Sequence, residues 1–210
     1  NIKGKYDQFY LDTSYAFQDD HKRSIEHAFV GYKPDTNNDI QVGIIYKPFA
    51  IYPFPEHAWT FQIPYFLGFA DSAAPGISWK NSTSDYDLTL AYMPIMSDGS
   101  IRYAPEAGSA DDLDYVLPSQ QEYVNEKRNQ VNFRIAKKLD YEFGKQEFGL
   151  SGAYSQLHNK ETDKDGNYYT VGLHALNNYG KWDFQTSAIH YQYDAKNPDE
   201  LDDDNILLQS

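Results

Sequence analysis

The chain contains no cysteine, which excludes a disulfide framework, a thiolate nucleophile and a Cys-based zinc site; export is permitted without being required. Basic residues are scarce, with 18 Lys and Arg against 31 Asp and Glu and a formal net charge of -13. Nucleic-acid binding neutralises phosphates with clustered Lys and Arg, so no nucleic-acid partner is expected. No apolar run approaches the roughly 18 to 20 residues of a transmembrane helix, and the first residues, NIKGKYDQFY, carry no apolar signal-peptide core. Helical insertion is excluded, but a barrel is not. Barrels hide their membrane signal in alternation, so a mean hydropathy of -0.71 decides little. The six histidines, His21, His27, His57, His158, His174 and His190, show neither HxH nor HExxH spacing. No metal site, cofactor or catalytic group is therefore expected, and the chain does not read as an enzyme.

What the chain does have is aromatic residues, chiefly tyrosine: 19 Tyr, 12 Phe and 3 Trp. Tyr suits places where one end of a ring is apolar and the other wet, such as membrane interfaces and sugar-binding faces. The clearest pattern runs from Val131 to Phe143, VNFRIAKKLDYEF. Val131, Phe133, Ile135, Leu139, Tyr141 and Phe143 share one face, and Asn132, Arg134, Lys138, Asp140 and Glu142 share the other. A strand over a soluble core is usually about 5 to 6 residues long, whereas one crossing a bilayer needs about 9 to 11. The length favours a membrane strand. Lys137, the one charge on the apolar face, is long enough to snorkel.

Period-two alternation predicts further strands at Lys5 to Phe17, Ile25 to Lys33, Asp39 to Lys47, Pro75 to Lys80, Tyr86 to Met93, Gln146 to Gln156, Tyr168 to Leu176 and Lys181 to Tyr193, the last with a bulge near Ala188. Asn205 to Ser210 reads as a strand fragment. Residues 48–73 hold four prolines and eight aromatics with neither strand nor helix periodicity, so an apolar loop packed against a sheet face or inside a barrel mouth is expected. Residues 97–128 read as a long extracellular loop, with a short helix near Ser119 to Glu126 and an acidic patch, Asp111-Asp112-Leu113-Asp114. Short turns are expected at 34–38, 81–85, 144–146 and 177–180, and longer connections at 48–73, 97–128, 161–167 and 194–205; the connection Asp19 to Arg23 belongs to the long side by position but is short. Outer-membrane barrels sort their loops this way, with short periplasmic turns and longer extracellular loops. The expected fold is therefore an all-β, antiparallel up-and-down transmembrane barrel in one domain over 1–210. About nine to ten strands are visible where such barrels carry an even and often larger number, which suggests part of a larger barrel.

Two segments, IEHAFVGYKPDTNNDIQVGIIYKPFAIYPFPE and TVGLHALNNYGKWDFQTSAIHYQY, resemble Gram-negative outer-membrane porins, broadly the phosphate- and pyrophosphate-selective group. That resemblance implies a water-filled channel, a homotrimer, a place in the cell outer membrane, and an inward-folded loop after the third strand, which is 48–73 here. The acidic balance departs from an anion-selective pore, although Lys47, Lys80, Arg134 and Lys138 can still form a basic constriction.

Two motifs carry weaker signals. Asp163-Lys164-Asp165-Gly166-Asn167 begins like a calcium loop, but the twelfth position is His174 rather than Glu, so it reads as a polar turn. Glu56-His57, in the apolar loop, reads either as a solvated pair or as a titrating gate. The expected function is passive diffusion of small hydrophilic solutes or ions, limited by size at 48–73. Charge selection is expected from Lys47, Lys80, Arg134 and Lys138 against Asp12, Asp87, Asp140 and Glu142, with Glu56 and His57 also lining the constriction. The partners expected are outer-membrane lipid and the solute. The alternative is a soluble secreted all-β domain that binds or cleaves polysaccharide, which predicts shorter strands and both sheet faces partly packed.

Overall fold

The computed structural model describes residues 1–17, 23–51, 73–95, 125–142, 144–160, 162–194 and 196. Ten strands form: β1 (Ile2–Tyr6), β2 (Phe9–Phe17), β3 (Arg23–Tyr32), β4 (Asn38–Tyr46), β5 (Ala73–Ser82), β6 (Tyr86–Ile95), β7 (Asn125–Tyr141), β8 (Gly144–Asn159), β9 (Lys164–Tyr179) and β10 (Trp182–Asp194). Each pairs antiparallel with its neighbours in sequence, giving one sheet in the order β1 to β10. The chain is all-β and runs up and down. Among the described residues β1 and β10 do not pair with each other, so the described sheet is open at two edges.

Alternation becomes two continuous faces because the register is nearly unbroken. One row runs Tyr10, Gly31, Gln41, Ser78, Ala91, Asn132, Ala153, Thr170 and Tyr191. Its neighbour on the other face runs Leu11, Val30, Val42, Ile77, Tyr92, Val131, Tyr154 and Tyr169. The first row is polar or small; the second is apolar. The pairing shifts between Arg128 and Val131 in β7, where Asn129 takes a left-handed φ of 52°, and at Ser14/Tyr15 in β2.

Several expected boundaries move. Lys5 to Phe17 is not one strand, because the chain turns at Asp7 and Gln8 and Tyr6 pairs with Phe9. Asp7 sits at φ 54°, a conformation that a short polar side chain tolerates. The β7–β8 connection falls between Tyr141 and Gly144, which pair with each other, rather than at 144–146; residue 143 lies outside the described residues. The β9–β10 turn falls at Gly180 and Lys181 rather than 177–180, since Gly180 is the residue that takes the positive φ, 61°. Residues 164–167 belong to β9, and Asn159 pairs with Lys164; that connection is short, not long. Asn125 to Arg128 belong to β7 rather than to a loop, and Asn125 and Glu126 are strand rather than helix. β10 pairs with β9 without a shift, so the bulge near Ala188 does not occur. The acidic patch at 111–114, the segment 119–124, most of 194–205, and 205–210 lie outside the described residues.

The connections sort by end. On one side lie the connections 7–8, 33–37, 83–85, 142–143 and 180–181; on the other lie 18–22, 47–72, 96–124 and 160–163. Both long connections therefore leave the same end of the sheet.

Candidate functional site

The two faces are solvated in reverse of a soluble sheet. Along the middle of the sheet many polar-face side chains are buried, among them Ser14, Ser78, Asn132, Ser151, Ser155, Thr170 and His174, while Lys80, Asp140, Asp183 and Gln185 on the same face are exposed. On the other face Val30, Val42, Ile77, Leu90, Val131, Ile135, Phe148, Leu150, Val171 and Leu173 are exposed. Exposed apolar residues scattered singly are ordinary, but a continuous apolar face this large marks a contact surface, for another protein, a ligand or a lipid membrane.

That apolar face has polar margins. On β8 it spans Phe148, Leu150, Gly152 and Tyr154 between Gln146 and Gln156; on β9 it spans Tyr169, Val171, Leu173 and Ala175 between Asn167 and Asn177. Counted between its polar margins, each stretch reaches the lower end of the roughly 9 to 11 residues of a bilayer-crossing strand. Toward the long-connection end Tyr92, Tyr154 and Tyr169 donate hydroxyl hydrogen bonds to Asn129 (2.8 Å), Asn167 (2.7 Å) and Gln192. Toward the short-turn end Phe9 packs on Tyr32 at 4.9 Å, Trp79 donates to the Asn38 side chain at 3.0 Å, and Tyr86, Tyr141 and Trp182 are exposed. Rings with one apolar and one wet end thus lie toward both margins.

Among the described residues, the polar face holds three charge clusters. At the centre Arg134 on β7 reaches the Glu147 carboxylate on β8 and lies 3.2 Å from His174 Nε2 on β9, which is 3.0 Å from the same Glu147 oxygen. Nearer the short turns, the Lys138 ammonium donates to Asp87 at 2.8 Å and to the Thr83 carbonyl at 3.2 Å, while Ser82 donates to Asp87. On β2 and β3, Asp12 lies 3.0 Å from His27 Nε2 and 3.1 Å from Lys3 Nζ, and His27 Nδ1 meets the Tyr46 hydroxyl at 2.8 Å. Beside that cluster the Tyr10 hydroxyl donates to Asp39 at 2.7 Å and Gln41 donates to Tyr10 at 2.8 Å. Such networks offset the desolvation cost of burying polar groups.

The start of the β4–β5 connection crosses this face. Phe49 and Ala50 are fully buried, and Phe49 packs with Ala153, Leu157 and Tyr168, far along the sheet from β4. Its ring lies over Gly172, where a Cβ would come within 2.8 Å of it. The Ala50 N–H donates to Ser151 Oγ at 2.9 Å, and Arg134 Nε donates to the Ala50 carbonyl at 2.7 Å. Residues 52–72, including Glu56 and His57, lie outside the described residues.

The other expected site residues fall as follows. Asp12, Lys80, Asp87, Arg134, Lys138 and Asp140 all occupy polar-face register positions, with Lys80 in the row Asp39, Lys80, Thr89, Arg134, Ser151. Lys47 is buried just past β4. Asp140 is exposed beside a hollow of about 450 Å³ at the short-turn end, which Lys138, Lys145, Glu147, Asp183 and Gln185 also line. Glu142 lies past the end of β7, in the turn. Asp163 and Asp165 face His158 at 3.7 and 3.0 Å, and among the described residues no group of three or more His, Asp or Glu is arranged to hold a metal ion.

Sequence reasoning missed Glu147, His174, His27, Asp39 and Lys127, the last with its ammonium 3.7 Å from the Tyr168 ring centre. With the β7–β8 turn centred correctly, antiparallel register alone sets Glu147 opposite Lys138 and one polar-face step pair from Arg134. Searches against protein families, curated proteins and solved structures found no match to this chain.

Proposed function

We propose that this sheet is part of the wall of an outer-membrane β-barrel channel of porin type, which passes small hydrophilic solutes or ions by diffusion. The observation that carries this is the inversion of the two faces: an exposed apolar surface with aromatic margins, and a polar surface buried along much of its middle and bearing paired charges. Hydrocarbon can meet the first, and a water-filled lumen the second. Strands of 16 to 17 residues and long connections at one end support the same reading, whereas a sugar-binding sheet would have shorter strands and cover on both faces. A wall in lipid has no free edges, so the proposal requires β1 and β10 to be partnered in the membrane.

In the proposed channel, the described start of the β4–β5 connection, residues 47–51, lies over the lumen face and narrows the passage. Lys47, Lys80, Arg134 and Lys138, balanced by Asp12, Asp87, Asp140 and Glu147, set its charge preference. Trimeric assembly and kinship with the phosphate- and pyrophosphate-selective porins belong to the same proposal. Fractionation of cells, followed by gels run with and without boiling, tests it. Retention in the outer membrane with a heat-dependent mobility shift is expected; solubility without detergent and no shift would overturn it and direct attention to polysaccharide binding.

A further inference from the structure

The polar face carries a seat built for one short segment of the chain. Three adjacent strands contribute. Gly172 on β9 leaves the space that the Phe49 ring occupies, Ser151 on β8 accepts from the Ala50 N–H, and Arg134 on β7 donates to the Ala50 carbonyl. Ala50 is held there at a left-handed φ of 46°, which a non-glycine residue adopts only where its surroundings impose it. Both backbone groups of Ala50 are thus satisfied by side chains from two strands remote in sequence.

Arg134 is itself held. Its terminal Nη2 faces Glu147 and His174 while Nε faces Ala50, and the guanidinium side chain is only 14% exposed. His174 reaches this position across Gly149, where a Cβ would come within 2.0 Å of the imidazole. The planar fork of a guanidinium can serve two directions at once; a Lys ammonium at this position cannot reproduce that geometry.

We propose that Arg134 is a positioning residue, pinning the start of the β4–β5 connection to β7, β8 and β9, with Glu147 and His174 fixing the guanidinium's orientation. Its consequence for permeation rests on the channel reading: a pinned segment gives one passage width, and a released one a fluctuating width. The pinning itself does not rest on that reading.

The chain lacks cysteine, so Ala50→Cys introduces a single reporter thiol at a fully buried position. Its rate of modification by a small maleimide is measured on the folded protein in detergent, with the unboiled gel shift or circular dichroism confirming the fold. Arg134→Met should raise the rate about tenfold or more, since it removes a charge-assisted hydrogen bond. Arg134→Lys should recover part of the protection. Arg134→Met combined with Glu147→Met removes the charge imbalance but not the lost pin, so labelling should stay fast. An unchanged rate in Arg134→Met, or full protection in the double variant, would overturn the proposal. Ile51→Cys serves as a second reporter should Ala50→Cys itself disturb the seat, and the same two outcomes apply. Fast labelling in a protein without channel activity would uphold the pin and reject only the channel.

Discussion

Leu173→Arg separates a lipid-facing wall from a soluble sheet by energy alone. Leu173 is 58% exposed, lies midway between Asn167 and Asn177 on the apolar face, and pairs with Leu150 and Ala188. An exposed substitution on a soluble strand changes stability by about 0.5 kcal/mol or less. In hydrocarbon near the bilayer midplane, the same Arg costs about 2 to 4 kcal/mol. That corresponds to roughly a 30-fold to several-hundred-fold loss in the folding equilibrium. Trp182→Arg is the internal control, because Trp182 is 69% exposed but sits by the turn at Gly180, where the cost falls to about 0 to 1 kcal/mol. Urea titration of folding into phospholipid vesicles, read by unboiled gel mobility, gives both values. Equal shifts below about 0.5 kcal/mol at the two positions would refute a lipid-facing surface.

Other outcomes follow from the polar face and its turns. Replacing Arg134 and Lys138 with Glu should move the reversal potential of reconstituted channels toward cation preference, with the larger share from Lys138, whose side chain is 33% exposed against 14% for Arg134; an unchanged potential would remove both from the lining. Gly149→Val should cost about 1 to 3 kcal/mol by overpacking against the His174 ring, and a urea midpoint equal to the parent's would contradict that contact. In the β3–β4 turn, hydrogen bonds from the Asn38 side chain and then from the Asn37 and Asn38 backbone N–H groups hold the Asp35 carboxyl below its ordinary pKa. A lowered folded pKa stabilises above the unfolded value and loses that contribution as pH falls. NMR titration should therefore place Asp35 below the ordinary carboxylate value, and Asp35→Asn should flatten that part of the acid response; an ordinary titration would exclude the turn hydrogen bonds.

Strand existence was legible because a period of two survives wherever one face is apolar, as in Phe148, Leu150 and Tyr154. Boundaries were harder, because connections such as Asp7-Gln8 and the one between Tyr141 and Gly144 carry weak signals beside long alternating runs. The β7–β8 turn matters most. Placing it at 144–146 shifts the strand register by an odd number of residues, which exchanges the faces and separates Arg134 from Glu147. Arg134, Lys138, Asp87 and Asp12 were recognisable as polar-face residues from alternation alone. Their pairings were not, because they depend on cross-strand register and on glycines, Gly149 and Gly172, whose role is the space that they leave. The landing of Phe49 and Ala50 on β8 and β9 is a long-range contact with no local pattern to announce it.

Planar bilayer recording of the purified protein tests the channel proposal most directly. A channel wall predicts discrete, stable conductance steps in salt solution and a reversal potential that responds to Lys138→Glu. Folded protein that inserts into the bilayer without any conductance, or that remains soluble without detergent, would contradict it.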